Sequence, residues 1–290
     1  TSAWIAKEML RANGHDVVVV TTLHGTDITI VGQDRSFHAI IKFSIERSDR
    51  ITAVSQFLRD ETFFAFGCAG CDVQVIHNFI DPTVYDRSRY SPLLRERLGG
   101  RRILMHISNF RAVKRVRDVV RTFARVRAAM DADLVMVGDG PERGDAEEEA
   151  RTLGVADHVH FLGKIESVAP LLASADLFLL PSEKESFGLS ALEALASGVP
   201  VIGCAAGGLP EVVRNGETGV LCDVGDVEGM AAGAIDFLRD ERRWHAASVR
   251  AAQDARERFS QDAIVAQYEA LYVDAVQQAR PPRIIPGSPT

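Results

Sequence analysis

Glu185 and Glu193 stand eight positions apart in the run Glu185-Ser186-Phe187-Gly188-Leu189-Ser190-Ala191-Leu192-Glu193. Two carboxylates can work as a general acid and base, or accept hydrogen bonds from two parts of one polar ligand. Two solvated glutamates flanking an ordinary helix would show the same spacing. Eight residues of helix rise about 12 Å. Gly188 lets backbone amides at a helix start come close to a ligand, and those amides carry the positive end of the helix dipole. Lys114 and Arg115 add cations beyond the apolar run Ile103–Ile107, at the carboxyl end where open parallel sheets bind ligands. His24 precedes Gly25, which permits close backbone approach.

These residues need a scaffold, and the chain alternates strand and helix almost without interruption. Val17–Val20, Ile51–Val54 and Val73–Ile76 read as strands. Ser36–Arg47 and Ser55–Phe66 read as the helices between them, with Ser36 and Ser55 as N-caps. Ser2–Ala12 reads as an earlier helix, capped by Ser2 and closed by Asn13-Gly14. A second series has strands at Ile103–Ile107, Leu134–Val137, His158–Leu162, Leu177–Leu180, Val199–Ile202 and Gly219–Leu221. Helices are expected near 116–130, 141–153, 168–174, 189–197 and 226–239, then 241–258 and 261–278. Near-continuous apolar strands joined by helices indicate α/β architecture, with parallel sheets covered on both faces. The stretch 85–100, with Pro92 and Gly99-Gly100, reads as an interdomain connection, and 280–290 as a disordered tail.

Composition fits a soluble globular protein: 290 residues, 46% apolar and 25% charged. The net charge of −7 argues against nucleic acid as a partner. No apolar stretch reaches membrane-spanning length and no signal peptide opens the chain, so a cytoplasmic protein without a membrane partner is expected. Cys68-Ala69-Gly70-Cys71 has metal or redox spacing, but nothing completes a zinc site, and no metal is expected. Cys204 and Cys222 sit in strand-like apolar contexts and read as core thiols.

Glu185 to Glu193 within Pro-Ser-x-x-Glu-Ser-Phe-Gly, followed by Gly198-Val199-Pro200-Val201 and Gly207-Gly208-Leu209-Pro210-Glu211, resembles the retaining glycosyltransferases of family 4. Thr22–Thr29 and His106–Arg115 look like the branch that transfers N-acetylglucosamine to L-malate at the start of bacillithiol biosynthesis. The resemblance runs from about Ser2 to about Tyr272. It implies the GT-B fold, two Rossmann-like doubly wound domains. The acceptor-side domain would span 1–84 and be incomplete, and the nucleotide-sugar domain would span 85–258. A helix at 259–279 would cross back to the first domain. Family members carry a further N-terminal segment, with a first strand and a Gly-rich loop, so the resemblance implies a truncated chain or a reduced domain completed by a partner. A homodimer is a further possibility.

The resemblance also distributes roles. The helix span matches the reach from ribose to sugar in a nucleotide sugar. Glu193 would accept from the ribose hydroxyls. Glu185 would contact the donor sugar, with Ser186, Phe187, Gly188 and Leu189 beside sugar and phosphate. Lys164 and Ile165 mark the place of the base, held through backbone groups. A diphosphate needs cations or helix N-termini where no metal is bound. Many family members have an arginine where this chain has Asn109, so the charge would come from Lys114 with Arg111 or Arg115. Gly138-Asp139-Gly140 is a weak phosphate signal, and Gly207-Gly208 with Glu211 reads as a turn and helix start. His24, Gly25, Thr26, Asp27 and Asn78 fall on the acceptor side, His24 near the reaction centre. The catalytic assignments are His24, Lys114 and Glu185. No cofactor is implied beyond a UDP-sugar donor. The implied reaction moves N-acetylglucosamine from UDP-GlcNAc to L-malate with retention, by front-face attack in which the departing diphosphate takes the acceptor's proton. Alternatives are another small acceptor such as an inositol phosphate, an epimerase, or a non-catalytic sugar-nucleotide-binding fragment.

Overall fold

The computed structural model describes residues 1–25, 28, 35–67 and 72–279. They form two compact units, one of Thr1–His77 with the chain from Asp262 onward, the other of Asn78–Gln261.

In the first unit, α1 (Ser2–Ala12), β1 (Val20–Leu23), α2 (Arg35–Glu46), β2 (Arg50–Ala53), α3 (Gln56–Phe66) and β3 (Val73–Val75) follow one another. The three strands are parallel, in the order β1-β2-β3. Ser55 caps α3 as expected, accepting the Leu58 N–H at 3.0 Å. Thr1, not Ser2, occupies the N-cap position of α1, and α2 starts at Arg35, which puts Ser36 inside its first turn. The first strand also lies later than the run of valines suggests. Its partner begins only at Arg50, and the Val19 N–H is taken by the Asp49 carboxylate at 2.7 Å rather than by a neighbouring strand.

In the second unit the order is α4 (Leu93–Arg97), β4 (Arg102–Ser108), α5 (Val116–Ala129), β5 (Ala132–Gly138), α6 (Arg143–Thr152), β6 (Val159–Gly163), α7 (Ala169–Leu172), β7 (Leu177–Leu180), α8 (Leu189–Ala196), β8 (Val201–Cys204), α9 (Leu209–Val212), β9 (Gly219–Cys222), α10 (Val227–Arg239) and α11 (Glu241–Phe259). The six strands are all parallel and ordered β6-β5-β4-β7-β8-β9. Counted from β4 this is 3-2-1-4-5-6, the doubly wound arrangement whose order reverses between β4 and β7. Leu104, Leu134, Leu177 and Ile202 of the strands pack with Val119 and Phe123 of α5 and Phe237 of α10, all fully buried or nearly so. Burying each such side chain contributes about 1.5–3 kcal/mol.

The last helix, α12 (Gln261–Ala279), packs with the first unit. Its Ile264 and Leu271 cluster with Ile76, and Asp274 pairs with Arg50 at 2.9 Å. The segment 85–100 is tied into the second unit, where Arg95 pairs with buried Asp176 at 2.8 Å. Among the described residues no helix is long and apolar enough to cross a membrane. Cys204 is buried and Cys222 half-buried. Cys68 and Cys71 lie outside the described residues, as does the tail from residue 280.

Candidate active site

The strands at which the sheet order reverses, β4 and β7, are direct neighbours. Their carboxyl ends release loops 109–115 and 181–188, the position where open α/β sheets hold ligands. The two loops are clasped together. The Glu183 N–H donates to the Val113 carbonyl at 2.8 Å, and Lys114 Nζ donates to Glu185 Oε1 at 2.6 Å. The pair is largely shielded, with side-chain exposures of 19% and 10%. Two residues spaced far apart in the chain thus meet at one point because the sheet brings their strands side by side.

Beneath the clasp lies His106 on β4, fully buried between Phe110 and Phe178. Burial depresses its imidazole to about 4, so it is neutral. Its Nδ1 faces the Leu179 carbonyl at 2.8 Å and must donate, which leaves Nε2 to accept from the Ser108 hydroxyl at 2.8 Å. Ser108 Oγ in turn accepts the Phe110 N–H at 3.2 Å. The histidine therefore ties β7 to β4 and fixes the start of the first loop. That loop is strained, with φ of 38° at Phe110 and 48° at Arg115; such conformations persist only where the surroundings hold them.

Glycines bring further backbone against the two loops. A Cβ on Gly138 would stand 1.8 Å from the Ser108 carbonyl oxygen, and one on Gly140 2.1 Å from that of Asn109. On the other side, a Cβ on Gly207 would lie 2.0 Å from the Glu185 oxygen, which accepts the Gly208 N–H at 2.8 Å. Gly207-Gly208 forms the expected turn into a short helix, and the same turn supports Glu185.

Gly188, at φ 98°, is the N-cap of α8 and presents no side chain to the amides of the first turn. Phe187 is buried edge-on against Phe259, 5.6 Å between ring centres, so only its backbone can face a ligand. Leu189 is exposed at the start of α8. Glu193, one turn on, is half-buried and accepts from the Tyr85 hydroxyl at 2.9 Å. Burial raises its pKa, and the Tyr85 hydrogen bond partly opposes that. The carboxyl ends of β4, β5 and β6 border a cavity of about 250 Å³ lined by Asn109, Gly138, Asp139, Lys164 and Ile165 among others. The structure thus brings Asn109, Lys164 and Ile165 together around one hollow.

It does not bring Arg115 there as a free cation. Arg115 pairs with Asp118 on the first turn of α5 at 2.6 Å. Arg111 is exposed, as are Asn109, Lys164 and Ile165. His24 and Gly25 follow β1 in the first unit, His24 exposed and Gly25 buried at φ 124°. Asn78, half-buried, is the first residue of the second unit. Thr26 and Asp27 lie outside the described residues. Among the described residues, no group of three or more His, Cys, Asp or Glu could hold a metal ion.

Residues 95–261 match the family model for glycosyl transferases group 1, and residues 1–84 that for glycosyltransferase family 4. The chain belongs to the group 1 glycosyltransferases. It is 47% identical over 277 residues to the N-acetyl-alpha-D-glucosaminyl L-malate synthase of Bacillus anthracis, covering 95% of this chain and 72% of that one. It is 32% identical over 260 residues to a glycogen synthase of Mycobacterium tuberculosis, of which it spans 61%. Anabaena HepE in complex with UDP and glucose superposes with a TM-score of 0.80 at 23% identity, over 93% of this chain and 74% of that one. At that identity the likeness shows the fold, GT-B with parallel α/β units.

Three features of this transferase lie outside the sequence expectations. Tyr85 is 108 residues from Glu193 and sits in a stretch read as a connection. The bridging role of His106 depends on β7 being its neighbour. The tie between Arg115 and Asp118 has an i,i+3 signature in the sequence.

Proposed function

We propose that the transferase moves N-acetylglucosamine from UDP-GlcNAc to L-malate with retention at the anomeric carbon. The observation that carries the donor half is the clasp of Lys114 with Glu185 at the β4/β7 switch point, beside the amides that open α8. Support for the sugar and the acceptor comes from the relative at 47% identity, whose name states both. In this reading the base occupies the cavity beside Asn109, Lys164 and Ile165. Glu193 accepts from the ribose hydroxyls. The first-turn amides of α8 and Lys114 face the diphosphate, and Glu185 the sugar. His24, Gly25 and Asn78 serve the acceptor side.

The bond from the sugar C1 to the diphosphate oxygen breaks, and the malate hydroxyl oxygen bonds to C1 on the same face. The hydroxyl proton passes to the departing diphosphate. No metal or further cofactor enters, and catalysis rests on positioning and on neutralising the leaving group. The enzyme acts in the cytoplasm, where nucleotide sugars are made.

Supplying UDP-GlcNAc with L-malate and following UDP release tests this. Release that depends on malate, with an α-linked product by proton NMR, is the expected result. Release with an inositol phosphate instead would move the acceptor assignment, and UDP binding without any transfer would reduce the chain to a sugar-nucleotide binder.

A further inference from the structure

We propose that Tyr85 is a positioning residue of the donor site, its hydroxyl holding the Glu193 carboxylate in the orientation that receives the ribose hydroxyls. The proposal rests on the reading of Glu193 as the ribose contact and adds to it the group that sets its geometry.

The hydroxyl lies 2.9 Å from Glu193 Oε1. Burial and the adjacent carboxylate both push the phenol above its ordinary value, so it remains a donor throughout the physiological range. A half-buried carboxylate on a helix has several rotamers, and ordering a Glu side chain is among the larger side-chain entropy losses. A donor in fixed position removes that freedom before the ligand arrives.

Tyr85 is itself fixed on both sides. Upstream, Ile80 exchanges backbone hydrogen bonds with the end of α11: its N–H donates to the Phe259 carbonyl at 2.9 Å, and its carbonyl accepts the Gln261 N–H at 3.0 Å. The Asp81 carboxylate accepts the Thr83 N–H at 2.8 Å. Downstream, the Tyr90 hydroxyl donates to the Val84 carbonyl at 2.8 Å, and Arg87 donates to the Ala175 carbonyl. The arm that delivers the phenol is anchored to the same Phe259 that packs on Phe187 of the carboxylate motif. Both ends of the motif are therefore referenced to one support.

Calorimetry with UDP and with 2′,3′-dideoxy-UDP on the wild type, Tyr85→Phe, Glu193→Ala and the double variant tests this. Tyr85→Phe is expected to weaken UDP binding about tenfold, the scale of one hydrogen bond to a charged group, with dideoxy-UDP affinity unchanged. In the Glu193→Ala background the change should add nothing. Because the Tyr85 bond lowers the Glu193 pKa, its loss should move the acid limb of UDP binding to higher pH. Tyr85 is the titratable group acting on Glu193, and Tyr90 acts on Tyr85. If Glu193→Ala leaves UDP affinity intact, the ribose reading fails. If Glu193→Ala weakens UDP but Tyr85→Phe does not, or weakens both nucleotides equally, the positioning role is overturned.

Discussion

Lys114 Nζ donates to Glu185 Oε1 at 2.6 Å, so an ion pair joins the loops leaving the two switch-point strands, beside the backbone hydrogen bond from Glu183 to Val113. Lys114 stands at the end of the turn after β4, and Glu185 sits on backbone pressed against Gly207. Both partners are held from behind, and neither is a freely moving surface charge. Opposite charges at this separation, mostly out of water, interact more strongly than an exposed pair. Removal of one partner leaves the other uncompensated.

Lys114→Gln should therefore weaken UDP binding on the order of tenfold to a hundredfold, because the lone Glu185 carboxylate would then face the diphosphate. Adding Glu185→Gln removes that repulsion. The double variant should recover part of the UDP affinity while transfer stays low, since the leaving diphosphate then lacks its cation and the sugar its carboxylate. Calorimetry and UDP-release kinetics on the two singles and the double give the coupling directly. Strictly additive losses in UDP affinity would show that the pair does not act as a unit.

Glu185→Ala and Glu193→Ala should part in their effects. Glu193→Ala should raise the UDP dissociation constant, whereas Glu185→Ala should chiefly lower the transfer rate at saturating donor. Steady-state kinetics beside UDP calorimetry separate the two. Normal binding and turnover in both variants would sink the donor-site assignment.

The second sheet was legible because its strands are near-continuous apolar runs, and a run such as Leu177–Leu180 buried on both faces has few other uses. The loops are legible for the same reason: once β4 and β7 are strands, Lys114 and Glu185 follow their carboxyl ends. The valines at 17–19 misled, because apolar character does not say where a partner strand begins. That Lys114 meets Glu185, that His106 reaches Leu179, and that Tyr85 reaches Glu193 all depend on which strands become neighbours. Gly207 reads locally as a turn, and only the fold reveals the Glu185 carbonyl against it.

Gly207→Ala should show that contact. Its new Cβ would lie 2.0 Å from the Glu185 oxygen at a residue with φ of +63°, whereas Gly216, at φ +84°, has nothing within 4 Å. Gly216→Ala should cost about 1–2 kcal/mol from the backbone conformation alone. Gly207→Ala should cost a further 1–3 kcal/mol or so by overpacking, and the surviving folded enzyme should transfer poorly because Glu185 is displaced. Urea unfolding of both variants with UDP-release assays on the folded fractions makes the comparison.

With Glu193 as the proposed ribose contact, function is set against stability. Its pKa is raised by burial, so the folded chain holds that proton more tightly than the unfolded chain, whose value is 4.5. Below 4.5 the group is protonated in both states and has no effect. As pH rises through the raised folded value, the ionised carboxylate in its shielded position costs stability. Glu193→Gln keeps an acceptor for Tyr85 without the charge. It should raise the melting temperature at pH 7, lose that advantage as pH falls to 4.5, and bind UDP less tightly than the wild type. A melting advantage that persists unchanged at pH 4 would mean that ionisation is not its source.

His106 works in the opposite direction along the pH scale. Its folded value of about 4 lies below the ordinary 6.5, so the unfolded chain binds a proton that the folded chain refuses. Stability is then full above 6.5 and falls as pH drops through the window toward 4, by on the order of 3 kcal/mol for the whole shift. His106→Asn retains an amide that can donate to the Leu179 carbonyl but cannot take up a proton. The variant should be less stable at pH 7, where it fills the space between Phe110 and Phe178 less well, yet its urea midpoint should fall less steeply between pH 6.5 and pH 4 than that of the wild type. Parallel pH profiles for the two proteins would remove His106 as the group that couples the fold to acid.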